Sequence, residues 1–216
     1  LANRIVVSPM AQYSAEDGNA TPWHLMHLGN LAISGAGLLI LEATSVNARA
    51  RFSPGDLGLY SDANEEALAP IVDFCRRHGS AKLGIQLQHA GRKGSSGLAW
   101  HGQKPLSPED GGWVPQSPDD IPYPGKPVPE RMSVADIKSL IDDFVASARR
   151  ADRLGFDLIE LHGAHGYLLH NFLSPLSNQR DDGYGGSLEN RMRFVLEVFD
   201  AVRAVWPEEK PLGMHL

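Results

Sequence analysis

In Phe156-Asp157-Leu158-Ile159-Glu160-Leu161-His162-Gly163-Ala164-His165-Gly166-Tyr167-Leu168, a short apolar run empties into two histidines and a tyrosine. No helical period fits Phe156 to Leu161, so the run reads as a strand, and glycines turn the chain at once. Titratable side chains at the exit of a buried strand sit where a barrel enzyme keeps its chemistry. The flanking segments support that reading. Upstream, Ser133 can cap a helix with Asp136 three residues on, and Ile137, Leu140, Ile141, Phe144, Val145 and Ala148 form one apolar stripe that ends at Gly155. Downstream, Ser187 caps a helix with Phe194, Val195, Val198, Phe199 and Val202 facing inward. Pro207 stops it, and Leu212 to Leu216 begins another strand.

The N-terminal half repeats the alternation. Ile5-Val6-Val7-Ser8-Pro9-Met10 is a β-branched run halted by proline. Thr21 caps the next helix, with Pro22 at its first position and Ser34 to Gly37 at its end. Gly37 to Ala43 is a second buried strand. The helix around Ser61 to His78 shows an Asp62…Glu65 capping box, with Pro70 expected to kink it or to mark its true start. Leu83 to His89 is a third strand carrying Gln86 and His89. Residues 90–132 lack a clear period and hold eight prolines from Pro105 to Pro129. They read either as a disordered linker or as an ordered loop over a site, and Trp100, Trp113 and Tyr123 favour the ordered loop.

Apolar strands alternating with helices imply a parallel sheet with right-handed crossovers. Pro9-Met10-Ala11 replaces the glycine fingerprint of a dinucleotide-binding open sheet. The expected fold is therefore an α/β, (β/α)8 TIM barrel, with about five of its eight strands in this chain. Such barrels need about 250 residues, and this chain has 216, opens without Met and closes inside a strand-like run. A single barrel domain over 1–216, part of a longer protein, is the expectation.

Composition narrows the function classes. With 42% hydrophobic and 21% charged residues the chain is globular, and its net charge of -6 argues against nucleic acid as a main partner. Its one cysteine, Cys75, supports neither a disulfide framework nor a thiolate metal site. No apolar run approaches the roughly 18–20 residues of a membrane span, and the cytoplasm is the expected location.

In a barrel, all strand C-termini share one face. Pro9, Met10 and Ala11, Ala43 and Thr44, Gln86, His162, His165 and Tyr167, and His215 would then surround one pocket. Amide, imidazole and phenol groups without a carboxylate cluster suit a neutral, polarisable ligand: two imidazoles can donate to one carbonyl oxygen, and a phenol can deliver a proton. The His162/His165 spacing also permits a metal pair, with His170 or Glu160 as third ligand. Zinc histidines of that kind sit on helices at i and i+4, however, so no metal is expected here. A structural role for both histidines, hydrogen-bonded under a loop, is the third reading. His24 and His27 are assigned no chemistry, and Asp181 to Gly186 reads as a tight loop rather than a calcium site.

Four motifs in order resemble the old yellow enzyme family of flavin-dependent ene-reductases, and its bacterial xenobiotic-reductase branch most of all. They are Asn3-Arg4-Ile5-Val6-Val7-Ser8-Pro9-Met10, Gln86-Leu87-Gln88-His89-Ala90-Gly91-Arg92-Lys93, His162 to Leu168, and Phe172 to Arg191. The resemblance implies FMN on the barrel axis, NADPH or NADH as reductant, and a small-molecule activated alkene such as an enone as substrate. A homo-oligomer is expected with it. By position, His162 and His165 would hold the substrate carbonyl and Tyr167 would protonate the α-carbon. Gln86 would bond the flavin's pyrimidine edge, Pro9, Met10, Ala11 and Ala43 would pack around the ring system, and Tyr13 would lie near the substrate.

Two positions depart from the pattern. Ala11 stands where the branch usually has a cysteine against the flavin, so a shifted FMN potential is expected. His215 falls where the family places an arginine against the flavin, replacing a fixed positive charge with a weaker, pH-dependent contact. The competing readings are a dienoyl-CoA-reductase-like multidomain flavoenzyme, a metal-dependent barrel hydrolase, and a catalytically silent barrel fragment.

Overall fold

A computed structural model describes residues 1–216. Its elements are β1 (Val6–Val7), α1 (Pro22–Ala32), β2 (Leu38–Ser45), α2 (Asp62–His78), β3 (Lys82–Gln88), β4 (Gln116–Ser117), β5 (Glu130–Arg131), α3 (Val134–Arg153), β6 (Leu158–His162), α4 (Leu168–Leu173), α5 (Leu188–Val205) and β7 (Leu212–His215). The main sheet runs β1-β2-β3-β6-β7, parallel throughout, while β4 and β5 form a separate parallel pair. Helices between parallel neighbours make this part of a (β/α)8 barrel wall, as the sequence predicts.

The two faces of the sheet do different work, and the period-two alternation of strands sorts them. Leu39 and Leu41, then Leu83, Ile85 and Leu87, then Ile159 and Leu161 belong to the main apolar core with helix residues such as Leu68, Phe144 and Phe194. Burying a side chain of that size contributes roughly 1.5–3 kcal/mol. Phe144 is fully buried, and truncation to Ala costs about 3–5 kcal/mol at such a site. The alternate residues Ile40, Gln86, Glu160 and His162 line a cavity on the other face.

Register adds one irregularity that matters. β2 bulges between Leu41 and Ala43, so that Leu41 pairs with Ile85 while Ala43 pairs with Gln86. The extra residue is Glu42. A bulge re-aims side chains beside it: Ala43 lines the cavity, whereas the Glu42 carboxylate accepts the Gln12 N–H at 2.8 Å.

Helix starts follow the expected caps at α3 and α5 but differ at α1 and α2; at α1 the Thr21 hydroxyl donates to Ser14 O at 2.9 Å instead of capping the helix. Ser133 and Ser187 accept the N–H groups of Asp136 and Asn190. At α2 the cap is Ser61, accepting from Asn64 N–H, and Glu65 instead binds Arg150 and Arg153 rather than closing a box with Asp62. The salt-bridge partners outcompete the backbone for that carboxylate. Helix α2 also runs through Pro70 without a break, so Pro70 marks no helix start.

Hydrogen bonds tie residues 90–132 to the rest of the chain. Ser96 N–H donates to Phe52 O at 2.8 Å, and Trp113 Nε1 donates to Arg49 O at 3.1 Å. The Arg180 guanidinium, 4% exposed, donates to Pro118 O and Met132 O at 2.7 Å each. These bonds give a proline-rich segment the partners that a linker would leave to water. The Asp181–Gly186 segment is a tight loop, in which Asp182 accepts from Tyr184 N–H and pairs with Arg180. No helix is long and apolar enough to cross a membrane.

Candidate active site

A cavity of about 370 Å³ opens at the C-terminal ends of the main-sheet strands, lined by Val6, Ser8, Pro9, Ala11, Ile40, Ala43, Gln86, Glu160, His162, His165, Tyr167 and His215. That volume lies within the range of small-molecule sites. Most of the residues singled out in the sequence meet here. Two do not. Met10 turns away, 49% exposed, and borders a crevice shared with His27, Leu28 and Glu42, because the chain after β1 continues extended and alternates its side chains. Tyr13 borders a neighbouring cavity with Pro54, Gly97 and His101, and its left-handed backbone (φ 53) swings it out of the line of Pro9 and Ala11.

The imidazole of His162 sits 4% exposed at the end of β6. Its Nδ1 accepts the Ala164 N–H at 3.2 Å, so in the neutral ring the proton resides on Nε2. That Nε2 lies 3.3 Å from Nδ1 of His165 and faces the cavity. Burial, with His165, His215, His170 and Lys93 nearby, pushes the His162 pKa down to about 4. At neutral pH His162 is therefore an uncharged N–H donor. The His215 ring stacks on it, 5.6 Å between centroids at 16°, and meets His165 edge-on at 5.1 Å.

Ligand nitrogens of His162, His165 and His215 lie within 4.8 Å of one another, a spacing a metal could bridge. The tautomer argues against it. Ligation through Nε2 of His162 would move the ring proton to Nδ1, directly against the Ala164 N–H. The same N–H on Nε2 suits an oxygen acceptor.

The Tyr167 ring lies 4.8 Å from that of His162 and 6.3 Å from Phe52. Burial first, then Asp56 and Tyr13, push its phenol well above the ordinary tyrosine range, so it keeps its proton. Phe52 was not singled out in the sequence, yet it touches Tyr13 at 6.4 Å as well as Tyr167. It is held by Asp56, whose carboxylate accepts from Phe52 N–H, Ser53 N–H and Ser53 Oγ. Burial outweighs those bonds and lifts the Asp56 carboxyl to about 6.

Glu160 is the second omission as a cavity group. Its Oε1 accepts from Gln86 Nε2 at 2.6 Å, across directly paired residues of β6 and β3. Glu160 and His162 are two apart on one strand, so both point inward; that period was the available signal. His24, assigned no chemistry, is fully buried at the start of α1. Its Nδ1 accepts the Thr21 N–H at 3.0 Å, and its Nε2 lies 3.3 Å from Glu42 Oε1, outside hydrogen-bond geometry but within ion-pair range. The pair supports the loop after β1 from behind.

The residues suit a flavin. Gln86 presents an amide, able to donate and accept along a pyrimidine edge. Ala11 and Ala43 place no bulk against a planar ring, and the Nε2–H of His162 awaits an electron-rich oxygen or nitrogen.

Comparison with known proteins agrees with the geometry. The family model for the NADH:flavin oxidoreductase / NADH oxidase family matches residues 1–216. The chain is 48% identical to an NADH:flavin oxidoreductase of Gibberella zeae, over 97% of this chain and 52% of that protein. It is 48% identical to an NADPH dehydrogenase of Geobacillus sp. over 95% of this chain and 57% of that protein, and 44% identical to the Bacillus subtilis NADPH dehydrogenase with the same coverage. Among solved structures, morphinone reductase superimposes with a TM-score of 0.83 at 29% identity, covering 98% of this chain and 58% of that one. A second structure of that enzyme is a complex with tetrahydroNAD. The chain thus spans a little over half the length of these relatives.

Proposed function

The chain belongs to the NADH:flavin oxidoreductase / NADH oxidase family, and from that premise we propose that its protein is an FMN-dependent oxidoreductase that reduces activated alkenes such as enones at the expense of NAD(P)H. The observation that carries the reading is the neutral Nε2–H of His162, set beside His165 and a protonated Tyr167 in one cavity. FMN, when bound, carries hydride from NAD(P)H to the β-carbon of the alkene.

The protein's own residues do the rest. Gln86, oriented by Glu160, holds the pyrimidine edge of the cofactor, and Pro9, Ala11 and Ala43 pack along it. His162 and His165 donate to the substrate carbonyl oxygen and strengthen their bonds as it gains charge. A bound carbonyl displaces the 3.3 Å contact between the two rings, at a cost no greater than the roughly 0.5–1.5 kcal/mol of an ordinary hydrogen bond. Tyr167 gives its proton to the α-carbon, and solvent restores it. His215, stacked beside His162, supplies an imidazole contact where the resembling family has a fixed cation.

Visible spectroscopy tests the reading. The full-length protein should show flavin absorption that NADPH bleaches and cyclohexenone restores. A full-length protein that stays colourless after FMN is added contradicts it.

A further inference from the structure

The turn that carries His165 adopts a conformation that His165 itself does not favour. His165 and Gly166 are both left-handed, with φ 57 and φ 70. Glycine takes that shape freely, whereas a residue with a Cβ loses roughly 1–2 kcal/mol. Three side chains outside the turn hold it there. Lys93, from the loop after β3, donates through Nζ to His165 O at 2.6 Å. His170 accepts the Gly166 N–H at Nδ1, 2.8 Å, and Asn171 Nδ2 donates to Gly166 O at 3.0 Å.

Neither His170 nor Asn171 lines the cavity that holds His162, His165 and Tyr167. Both lie in the short helix α4, immediately after the turn. Asn171 also reaches the strand exit next door, where its Oδ1 accepts the Arg92 N–H at 3.5 Å and leaves Gly91 no room for a Cβ. The Leu168 N–H donates to His89 O at 2.9 Å across the same junction. The backbone of the turn is thus bonded from both sides, and the imidazole of His165 inherits its direction from those bonds.

We infer that His170 and Asn171 are positioning residues that clamp the His165–Gly166 turn, so that His165 and His162 address one oxygen atom. The inference rests on the proposed role of those two histidines. His170 acts as an acceptor through Nδ1, and so it can be replaced only by a side chain offering an acceptor at that place.

The test uses the FMN-loaded, full-length protein. His170→Ala deletes the acceptor, while His170→Asn keeps an oxygen close to where Nδ1 lies. His170→Ala should lower kcat/KM for cyclohexenone about tenfold, the scale of one lost hydrogen bond, with FMN still bound. His170→Asn should recover most of that loss. In ¹⁵N spectra, the ring signals of His162 and His165 should move in His170→Ala and return in His170→Asn. Equal impairment of the two variants, or wild-type ring signals and kcat/KM in His170→Ala, would overturn the clamp. If His170→Ala does not fold, Asn171→Ala carries the same measurement, and unmoved ring signals there also overturn it. Ring signals that respond in a protein unable to reduce cyclohexenone would uphold the clamp and refute the proposed function.

Discussion

Two neighbouring strand exits use the same local device to different ends. After β3, His89 Nδ1 accepts the Gly91 N–H at 3.0 Å, and after β6, His162 Nδ1 accepts the Ala164 N–H at 3.2 Å. Each histidine caps the backbone two residues on and so carries its neutral-state proton on Nε2. Burial depresses both, His89 to about 3 and His162 to about 4. Yet Nε2 of His89 is sealed beneath the loop without a hydrogen-bond partner, while Nε2 of His162 opens onto the cavity beside His165 and Tyr167. Strand alternation makes the difference: Gln86 and Glu160 are paired inward residues, His162 follows at i+2, and His89 lies at an odd step from Gln86. The face each histidine occupies, not its sequence neighbours, decides whether its Nε2 reaches the cavity.

Substituting Asn at both exits breaks the comparison most directly. Asn keeps an acceptor near Nδ1 and removes the Nε2 donor. His162→Asn should lower kcat/KM for an enone about 10²-fold or more, the usual loss for one donor to a developing oxyanion. His89→Asn should leave kcat/KM near the wild-type value. Comparable losses at both sites, measured by steady-state kinetics, would erase the distinction.

The same face should matter for Tyr167. Tyr167→Phe should slow reoxidation of the reduced protein by cyclohexenone about 10²-fold, while stopped-flow reduction by NADPH stays within a factor of a few. Loss of both half-reactions would make Tyr167 a packing residue instead. A smaller effect is expected one pair back along the strands. Glu160→Gln removes the charged acceptor that orients Gln86, and should weaken FMN binding about tenfold, as a charge-assisted bond of roughly 1.5–3 kcal/mol is partly replaced. Equilibrium titration of the apoprotein with FMN measures it, and unchanged affinity argues that Gln86 is oriented by packing alone.

The sealed exit leaves its mark on acid stability. His89 is neutral when folded down to about pH 3 but protonates near 6.5 when unfolded. As pH falls through that window the unfolded chain binds the extra proton, and stability falls with it. His89→Asn should make that slope shallower by up to about 1.4 kcal/mol per pH unit, read from denaturant unfolding between pH 4 and 7. An unchanged slope would mean that His89 titrates normally. The smallest effect belongs to Ala11→Cys, where a thiol could donate toward the flavin as a methyl cannot; redox titration should show a shifted FMN potential, and identical potentials count against contact at that position.

Much of this was legible in the sequence because it is local. The parallel strands, the Ser133 and Ser187 caps, and the cavity positions of Pro9, Ala11, Ala43, Gln86, His162, His165, Tyr167 and His215 follow from period, cap chemistry and the shared face of strand ends. What was not legible depends on neighbours distant in sequence. The bulge at Glu42 is a property of β2 against β3, and the seat of Phe52 depends on Asp56 beneath it. The left-handed His165 needs Lys93, which lies 72 residues earlier. Met10 lies outside the cavity, and a motif carries residue names more readily than side-chain directions.

The central claim is that His162 is a neutral donor with its proton on Nε2. Long-range ¹H–¹⁵N NMR of the imidazoles reads tautomer and charge together. His162 should be in the Nε2–H form at pH 7 and stay unprotonated below pH 5, with its Nε2 resonance moving when a carbonyl ligand binds. An Nδ1–H tautomer, or protonation near pH 6.5, would contradict it.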